Sequence, residues 1–213
     1  MNVYEAIHGR RDVRRFRPDP VPDEVLIRIL DAAHHAGSVG FMQPWNFLVV
    51  RSLEVCRKVL EVFERENARA ADNYAGDRRL LYESLKLQGI LDAPLNLAVT
   101  CERGRGGPHV LGRNTIVDTD VYSTCCAIQN LWLAARAEGV GVGWVSILDP
   151  AAIKCLLSIP EAVSLVGYLC VGYPIAFDDR PLLEKVGWAD RLPLRALVFE
   201  DSWGRPSESL FRD

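Results

Sequence analysis

Apolar positions recur along this chain with two periods, and together they mark out its elements. Val3 to His8 fits a short helix that ends at Gly9. Pro22 opens a longer helix with Asp23 and Glu24 in its first turn, where carboxylates suit the dipole. Its stripe of Val25, Leu26, Ile29, Leu30 and Ala33 runs toward Gly37. Trp45 to Val50 is a compact aromatic and β-branched run, the mark of a buried strand. Helical spacing returns over Leu53 to Asp72, with Val55, Val59, Leu60 and Phe63 on one face, and more weakly over Tyr74 to Gln88. Leu95 to Cys101 reads as a second strand. Asp118 or Thr119 caps a long helix to Glu138 whose apolar residues occupy more than one face, so it is expected to be central and buried. Val140 to Leu148 and Ser164 to Val171 read as two more strands, with a short helix from Asp149 to Leu157 between them. Beyond Pro174 the pattern is broken by prolines, and Arg195 to Glu200 is a last strand candidate.

Helices and strands alternate without a strict βαβ repeat, and the length of 213 residues suits one domain. The tail from about 174 to 213 carries Leu182, Leu183, Trp188, Leu192, Leu194, Val198 and Phe199, and is expected to pack on a partner subunit. With 49% hydrophobic and 25% charged residues, a sizeable core is available and general disorder is excluded. A net charge of -3 gives no support to a nucleic-acid partner. No apolar run reaches membrane-spanning length, and the first residues lack a signal-peptide layout, so a cytoplasmic protein with no membrane partner is expected. Six cysteines without a Cys-x-x-Cys pair read as small core residues, and the four histidines have no metal spacing. No metal is expected.

The charge is lopsided, with 21 arginines against 4 lysines, and Arg10, Arg11, Arg14, Arg15 and Arg17 crowd into eight positions. Guanidinium forks bind phosphates and polarised oxygens. Asp12 among them is expected to stay ionised. A solvated basic patch or a targeting-like run is the competing reading. The stretch Gly37-Ser38-Val39-Gly40-Phe41-Met42-Gln43-Pro44-Trp45-Asn46 offers a flexible backbone with Gln43 and Asn46 to read polar ring edges, or else a tight turn into a core strand. In Gly139-Val140-Gly141-Val142-Gly143-Trp144-Val145-Ser146 the glycines close a helix and open a strand, the reverse of a dinucleotide fingerprint, so Gly139 reads as a helix C-cap. No nucleophile elbow surrounds Ser146, and no phosphate-binding P-loop is present.

Taken in order, these segments resemble the flavin-dependent nitroreductase family: a short helix, an Arg-x-Ser-x-Arg type motif, a serine loop ending in Gln-Pro-Trp, a glycine-rich approach to an inner strand, and a basic residue near Pro-Leu. The resemblance implies an α+β fold, a mixed sheet flanked by helices, in a homodimer with two shared FMN sites. Aspartate replaces serine in Arg10-Arg11-Asp12-Val13-Arg14. With Gly-Ser-Val-Gly-Phe-Met-Gln-Pro-Trp and Gly-Trp-Val-Ser-Ile, this is similar to the branch of the family that destroys flavin to make 5,6-dimethylbenzimidazole, the lower ligand of vitamin B12. Gly37 stands where that branch would have proline.

By that resemblance, reduced FMN is substrate as well as ligand. It is cleaved with molecular oxygen to 5,6-dimethylbenzimidazole and erythrose 4-phosphate, without a metal, and a separate reductase supplies the reduced flavin. Arg10, Arg11, Asp12, Val13, Arg14, Ser38, Gln43, Trp45, Asn46, Ser146 and Arg180 are the implied binding residues, with Arg191 the fallback for the phosphate. Asp12 handles protons and Ser146 donates to the ring edge. The stretch from Tyr74 to Gln88 is a lid or a plain surface helix. Two alternatives stay open: an NAD(P)H-dependent nitroreductase or flavin reductase, and a non-catalytic flavin or nucleic-acid binding module.

Overall fold

The computed structural model describes residues 1–211 of the chain, which divides into two compact units, Met1–Phe177 and the segment from Asp178 onward. In the first unit, α1 (Val3–Gly9) is started by Asn2. Its side chain accepts the Glu5 amide at 2.9 Å while Glu5 Oε2 accepts the Asn2 amide at 2.8 Å. α2 (Asp23–His34) buries Leu26, Ile29 and Ala33, one face at helical spacing. β1 (Trp45–Val50) follows, then α3 (Leu53–Ala71), capped by Ser52 and burying Cys56, Val59, Val62 and Phe63.

α4 (Gly76–Ser84) covers only part of the stretch expected to be helical and docks on α3, with Tyr82 Oη donating to Asn67 Oδ1 at 2.8 Å. The order continues with β2 (Leu95–Glu102), α5 (Thr119–Ala137), β3 (Gly141–Val145), α6 (Pro150–Leu156) and β4 (Val163–Gly172). Asp118 holds the N-cap position of α5, but its carboxylate goes to Arg103 at 2.6 Å.

The sheet runs β1-β2-β4-β3, and all three pairings are antiparallel. Its mixed character is confined to one parallel bridge, Asp12 to Val142, on the outer side of β3. β2 is buried on both faces, which explains its unbroken apolar run. Leu95, Leu97 and Val99 face the core shared with α2 and α5, while Ala98, Tyr168 and Cys170 face the core shared with α3 and α6. Each fully buried Leu or Val contributes about 1.5–3 kcal/mol, so a sheet lined on both sides is a rigid frame for whatever its edges carry.

α5 is central, as expected, yet only one side of it is buried. Ile128, Leu131 and Ala135 are covered, whereas Tyr122, Cys125 and Cys126 are exposed. Cys155 is exposed too, so only Cys56, Cys101 and Cys170 behave as core residues, and all six are free.

The second unit holds a short α7 (Leu182–Lys185) and a 3-10 turn at Leu194–Ala196. The strand expected over Arg195 to Glu200 does not form. After Pro193 the chain winds into that turn, and a reversal at Asp201, φ 63°, leaves only a bridge between Phe199 and Pro206. Leu192, Leu194, Leu197 and Trp203 remain exposed. Among the described residues, no helix is long and apolar enough to cross a membrane.

Candidate functional site

Leaving α1, the chain turns extended at Arg10 and lies along the free edge of β3, where the Val13 amide donates to the Val142 carbonyl at 3.0 Å. Two glycines permit this approach. A Cβ at Gly141 would stand 2.8 Å from Val13 Cγ2, and one at Gly143 would stand 2.0 Å from the Val13 carbonyl oxygen. The alternating glycines are therefore the bed of the arginine segment, and Val13, 6% exposed, pins it to the core. Gly139, at φ +73°, ends α5 as expected. β3 is the last strand of the four, made inner by this segment lying on it.

The α5 side fixes the same segment. Trp132 Nε1 donates to the Arg11 carbonyl at 3.1 Å, and Arg136 Nε to the Gly9 carbonyl at 3.0 Å. The Arg10 guanidinium stacks 4.9 Å from the Trp132 ring centre. Arg11 turns back to donate to the carbonyls of His8 and Arg10 at 2.7 and 2.6 Å, so it closes the end of α1. Arg14 grips Asp12 with both terminal nitrogens, one to each carboxylate oxygen. Asp12 Oδ1 also accepts the Trp144 amide at 2.8 Å. The Asp12 side chain keeps 41% of its surface, the Arg14 side chain 15%. Ser146, one residue beyond β3, is exposed. Cys170 sits opposite Gly143 on β4, and burial pushes its thiol up to about 12, which removes it as a nucleophile.

A second cluster forms where α2 meets β1. The turn there passes through left-handed backbone at Gly40, Phe41 and Gln43 (φ 59°, 53° and 47°). Ser38 Oγ accepts the Gln43 amide at 3.1 Å, and the Val39 amide donates to Ser123 Oγ on α5 at 3.2 Å. Trp45 is buried and its Nε1 donates to His34 Nδ1 at 3.2 Å. Asn46 is engaged at both ends, Nδ2 to Thr100 Oγ1 at 3.3 Å and Oδ1 to Arg105 at 2.6 Å. A cleft of about 610 Å³ opens beside this turn, lined by Ile27, Leu30, Asp31, His34, Met42, Gln43, Trp45, Phe47 and Arg105.

Within one chain the two clusters stand apart. β1 and β3 are opposite edges of the sheet, three gaps or about 14 Å apart. α5 gives an independent ruler. Ser123 touches one cluster and Trp132 the other, nine residues or about 14 Å along a helix. Arg180 and Arg191 belong to the second unit, where both are exposed and Arg180 Nε lies 3.8 Å from Asp179.

Arg105 and the buried carboxylate of Asp120 carry much of this geometry and were not singled out in the sequence. Asp120, fully buried in the first turn of α5, pairs with Arg103 at 3.1 Å and Arg113 at 2.7 Å. The available signal was a charged residue in a helix expected to be buried, which demands such partners. Arg105 sits in a glycine loop and gave no signal. Among the described residues, no His, Cys, Asp and Glu side chains cluster to hold a metal.

Residues 7–173 match the nitroreductase family. A protein of Rhodobacter capsulatus named 5,6-dimethylbenzimidazole synthase is 45% identical over 191 residues, 90% of this chain and 92% of that protein. One of the same name from Rhodospirillum rubrum is 44% identical over 184 residues, 86% and 87% of the two chains. Among solved structures, oxidised iodotyrosine deiodinase bound to FMN and 3-iodo-L-tyrosine superimposes with a TM-score of 0.70 at 27% identity, covering 83% of this chain and 92% of that one.

Proposed function

This chain belongs to the nitroreductase family, and on that premise we propose that it cleaves reduced FMN with molecular oxygen to 5,6-dimethylbenzimidazole and erythrose 4-phosphate. The observation that carries the proposal is the carboxylate of Asp12, held by Arg14 and the Trp144 amide on the edge that ends in Ser146. The kinship with relatives named for that synthase supports it.

The donor set suits a phosphorylated flavin. Guanidinium groups at Arg10 and Arg14 suit an anionic, electron-rich ligand, and Ser146, one residue beyond β3, keeps its side chain exposed. When bound, reduced FMN supplies the electrons for oxygen and the ring carbons of the product. Asp12 Oδ2, which among the described residues accepts from Arg14, is the oxygen that takes and returns a proton, while Oδ1 keeps the Trp144 amide. Ser146 orients the ring edge, and Arg10 and Arg14 hold negative charge in place. Arg180 meets the phosphate, with Arg191 the alternative.

A homodimer completes the site. The turn carrying Ser38, Gln43, Trp45 and Asn46 leads into β1, four strand spacings or about 19 Å across the sheet from the arginine segment of its own chain, which lies outside β3, so a two-fold partner brings the turn of one subunit to the arginine edge of the other. The exposed Tyr122, Cys125 and Cys126 of α5 give such a partner a surface to cover, and the tail brings exposed apolar residues of its own, Leu192, Leu194 and Trp203. A separate reductase delivers reduced FMN.

The test is single-turnover mixing of purified protein and reduced FMN with air-saturated buffer, products separated by chromatography. Dimethylbenzimidazole is the expected product. Intact oxidised flavin and a reduced acceptor on adding NAD(P)H would instead identify a nitroreductase. Asp12→Asn should retain flavin while product formation falls about 10²-fold or more, the scale of a lost general base. Product at the wild-type rate would remove Asp12 from proton transfer.

A further inference from the structure

The turn from Gly40 to Asn46 is in a conformation its own residues do not favour. Phe41 and Gln43 are non-glycine residues with φ of 53° and 47°, a region that costs free energy for any side chain with a Cβ. Such a turn persists only where its surroundings over-determine it. Here one side chain bonds to three of its residues. Arg105 Nη1 donates to the Gln43 carbonyl at 2.6 Å and to the Trp45 carbonyl at 2.9 Å. Its Nη2 donates to Asn46 Oδ1 and Glu102 Oε2, both at 2.6 Å. The Pro44 carbonyl between them accepts the Glu102 amide at 2.8 Å. Three successive carbonyls are thus held by Arg105 and by the residue it pairs with.

The latch is itself anchored. Arg113 Nη1 donates to the Arg103 carbonyl at 2.7 Å, and Arg103 and Arg113 close on the buried Asp120. The far side of the loop presses on the turn, since a Cβ at Gly40 would stand 2.5 Å from Val110 Cγ1 and 2.7 Å from the Leu111 carbonyl oxygen. With four of its five N–H donors committed and its charge matched by Glu102, Arg105 has little left for a ligand.

We propose that Arg105 is a positioning residue, which locks the Gly40–Asn46 turn in the conformation that presents Ser38 and Gln43 to the flavin. The flavin part rests on the proposed function above; the locking itself does not. A lysine cannot substitute, because one ammonium cannot span the two carbonyls and two side-chain oxygens that a planar fork reaches.

The test uses the full chain with Arg105→Ala and Arg105→Lys, and two readouts. Amide exchange at Gln43, Trp45 and Asn46 should rise in both variants while α3 and β4 keep wild-type protection. FMN affinity should fall about 10- to 100-fold, the cost of a misplaced site, and added guanidinium ion should restore part of it to Arg105→Ala but none to Arg105→Lys. Wild-type exchange at the turn in Arg105→Ala would overturn the latch. Raised exchange throughout the chain would overturn it as well, since Arg105 would then serve global stability. If the wild-type protein binds no FMN, the flavin reading fails while exchange still decides the latch. If the turn loosens and FMN affinity is unchanged, the turn is locked by Arg105 but does not serve the flavin.

Discussion

A single methyl group at Gly143 should detach the arginine segment from the sheet. The Cβ of Gly143→Ala would stand 2.0 Å from the Val13 carbonyl oxygen, where real contacts stay beyond 3.0 Å, so one backbone must move by about 1 Å. Neither partner is a side chain that could rotate away. The displacement breaks the bond from the Val13 amide to Val142 and that from the Trp144 amide to Asp12. A neutral hydrogen bond contributes about 1 kcal/mol and one to a charged group about 1.5–3 kcal/mol, giving a loss of about 2.5–4 kcal/mol. For a chain of this size that lowers Tm by about 5–15 °C. Flavin affinity should drop by about 10²-fold, because Asp12 and Arg14 move with the segment. Gly37→Ala is the control: it meets nothing within 4 Å, and its effect should stay within about 1 kcal/mol. Thermal unfolding with and without FMN, and flavin titration, read both effects. A Gly143→Ala protein with wild-type Tm and affinity would show that the segment does not lie on β3.

Arg10→Ala should weaken FMN binding more than Lys58→Ala by about 1.5–3 kcal/mol, since Lys58 is an exposed partner of Glu54 at 2.7 Å; coincident titrations would mean the anion is held elsewhere. Thiol titration of the folded chain, unliganded and dilute enough to dissociate a dimer, should count Cys125, Cys126 and Cys155 and spare Cys56, Cys101 and Cys170, and prompt reaction of all six would contradict the burial. Because the Cys170 pKa is raised from 9.0 to about 12, the unfolded chain loses that proton first as pH rises. Its contribution to stability is complete below pH 9 and declines between pH 9 and about 12, a slope that Cys170→Ala should flatten in alkaline denaturation. Sedimentation at low micromolar concentration should find a dimer, and a well-folded monomer would count against the shared site.

Elements with a strong local period were legible in the sequence. β1 begins and ends where its apolar run does, and the stripes of α2 and α3 are the faces they bury. Misreadings occurred where partners outside the segment decide. Arg195 to Glu200 has strand composition, but the turn after Pro193 and the reversal at Asp201 leave it one bridge, Phe199 to Pro206, and Asp118 occupies a cap position while its carboxylate serves Arg103. The site was legible as a set of residue types. Its geometry was not. Nothing local shows that Gly141 and Gly143 exist to admit Val13, or that Arg105 reaches three residues some sixty positions earlier. Those are long-range facts, fixed only when β3 meets the segment after α1 and the 103–117 loop folds against the turn.

Asp12 faces two demands that oppose each other. As an anchor it must stay ionised to hold Arg14, and as a base it must give up that charge. Its two oxygens divide the work. Among the described residues, Oδ1 accepts the Trp144 amide and one Arg14 nitrogen, whereas Oδ2 accepts the other Arg14 nitrogen. A proton arriving at Oδ2 therefore displaces one Arg14 contact and leaves the bond to the sheet intact. A serine at this position, as in the ordinary family pattern, could accept the Trp144 amide but could not grip a guanidinium with two oxygens. The exchange of serine for aspartate thus adds a proton site and a tether for Arg14 in one step. Asp12→Asn removes both additions and spares the bond to the sheet. Its amide oxygen can keep the Trp144 contact, while its NH2 group turns a donor toward Arg14. At 41% exposure the lost ion pair is worth only about 1 kcal/mol, too little to unfold the chain. A large loss of product with modest change in Tm therefore reports on proton transfer and on the placement of Arg14, not on the fold.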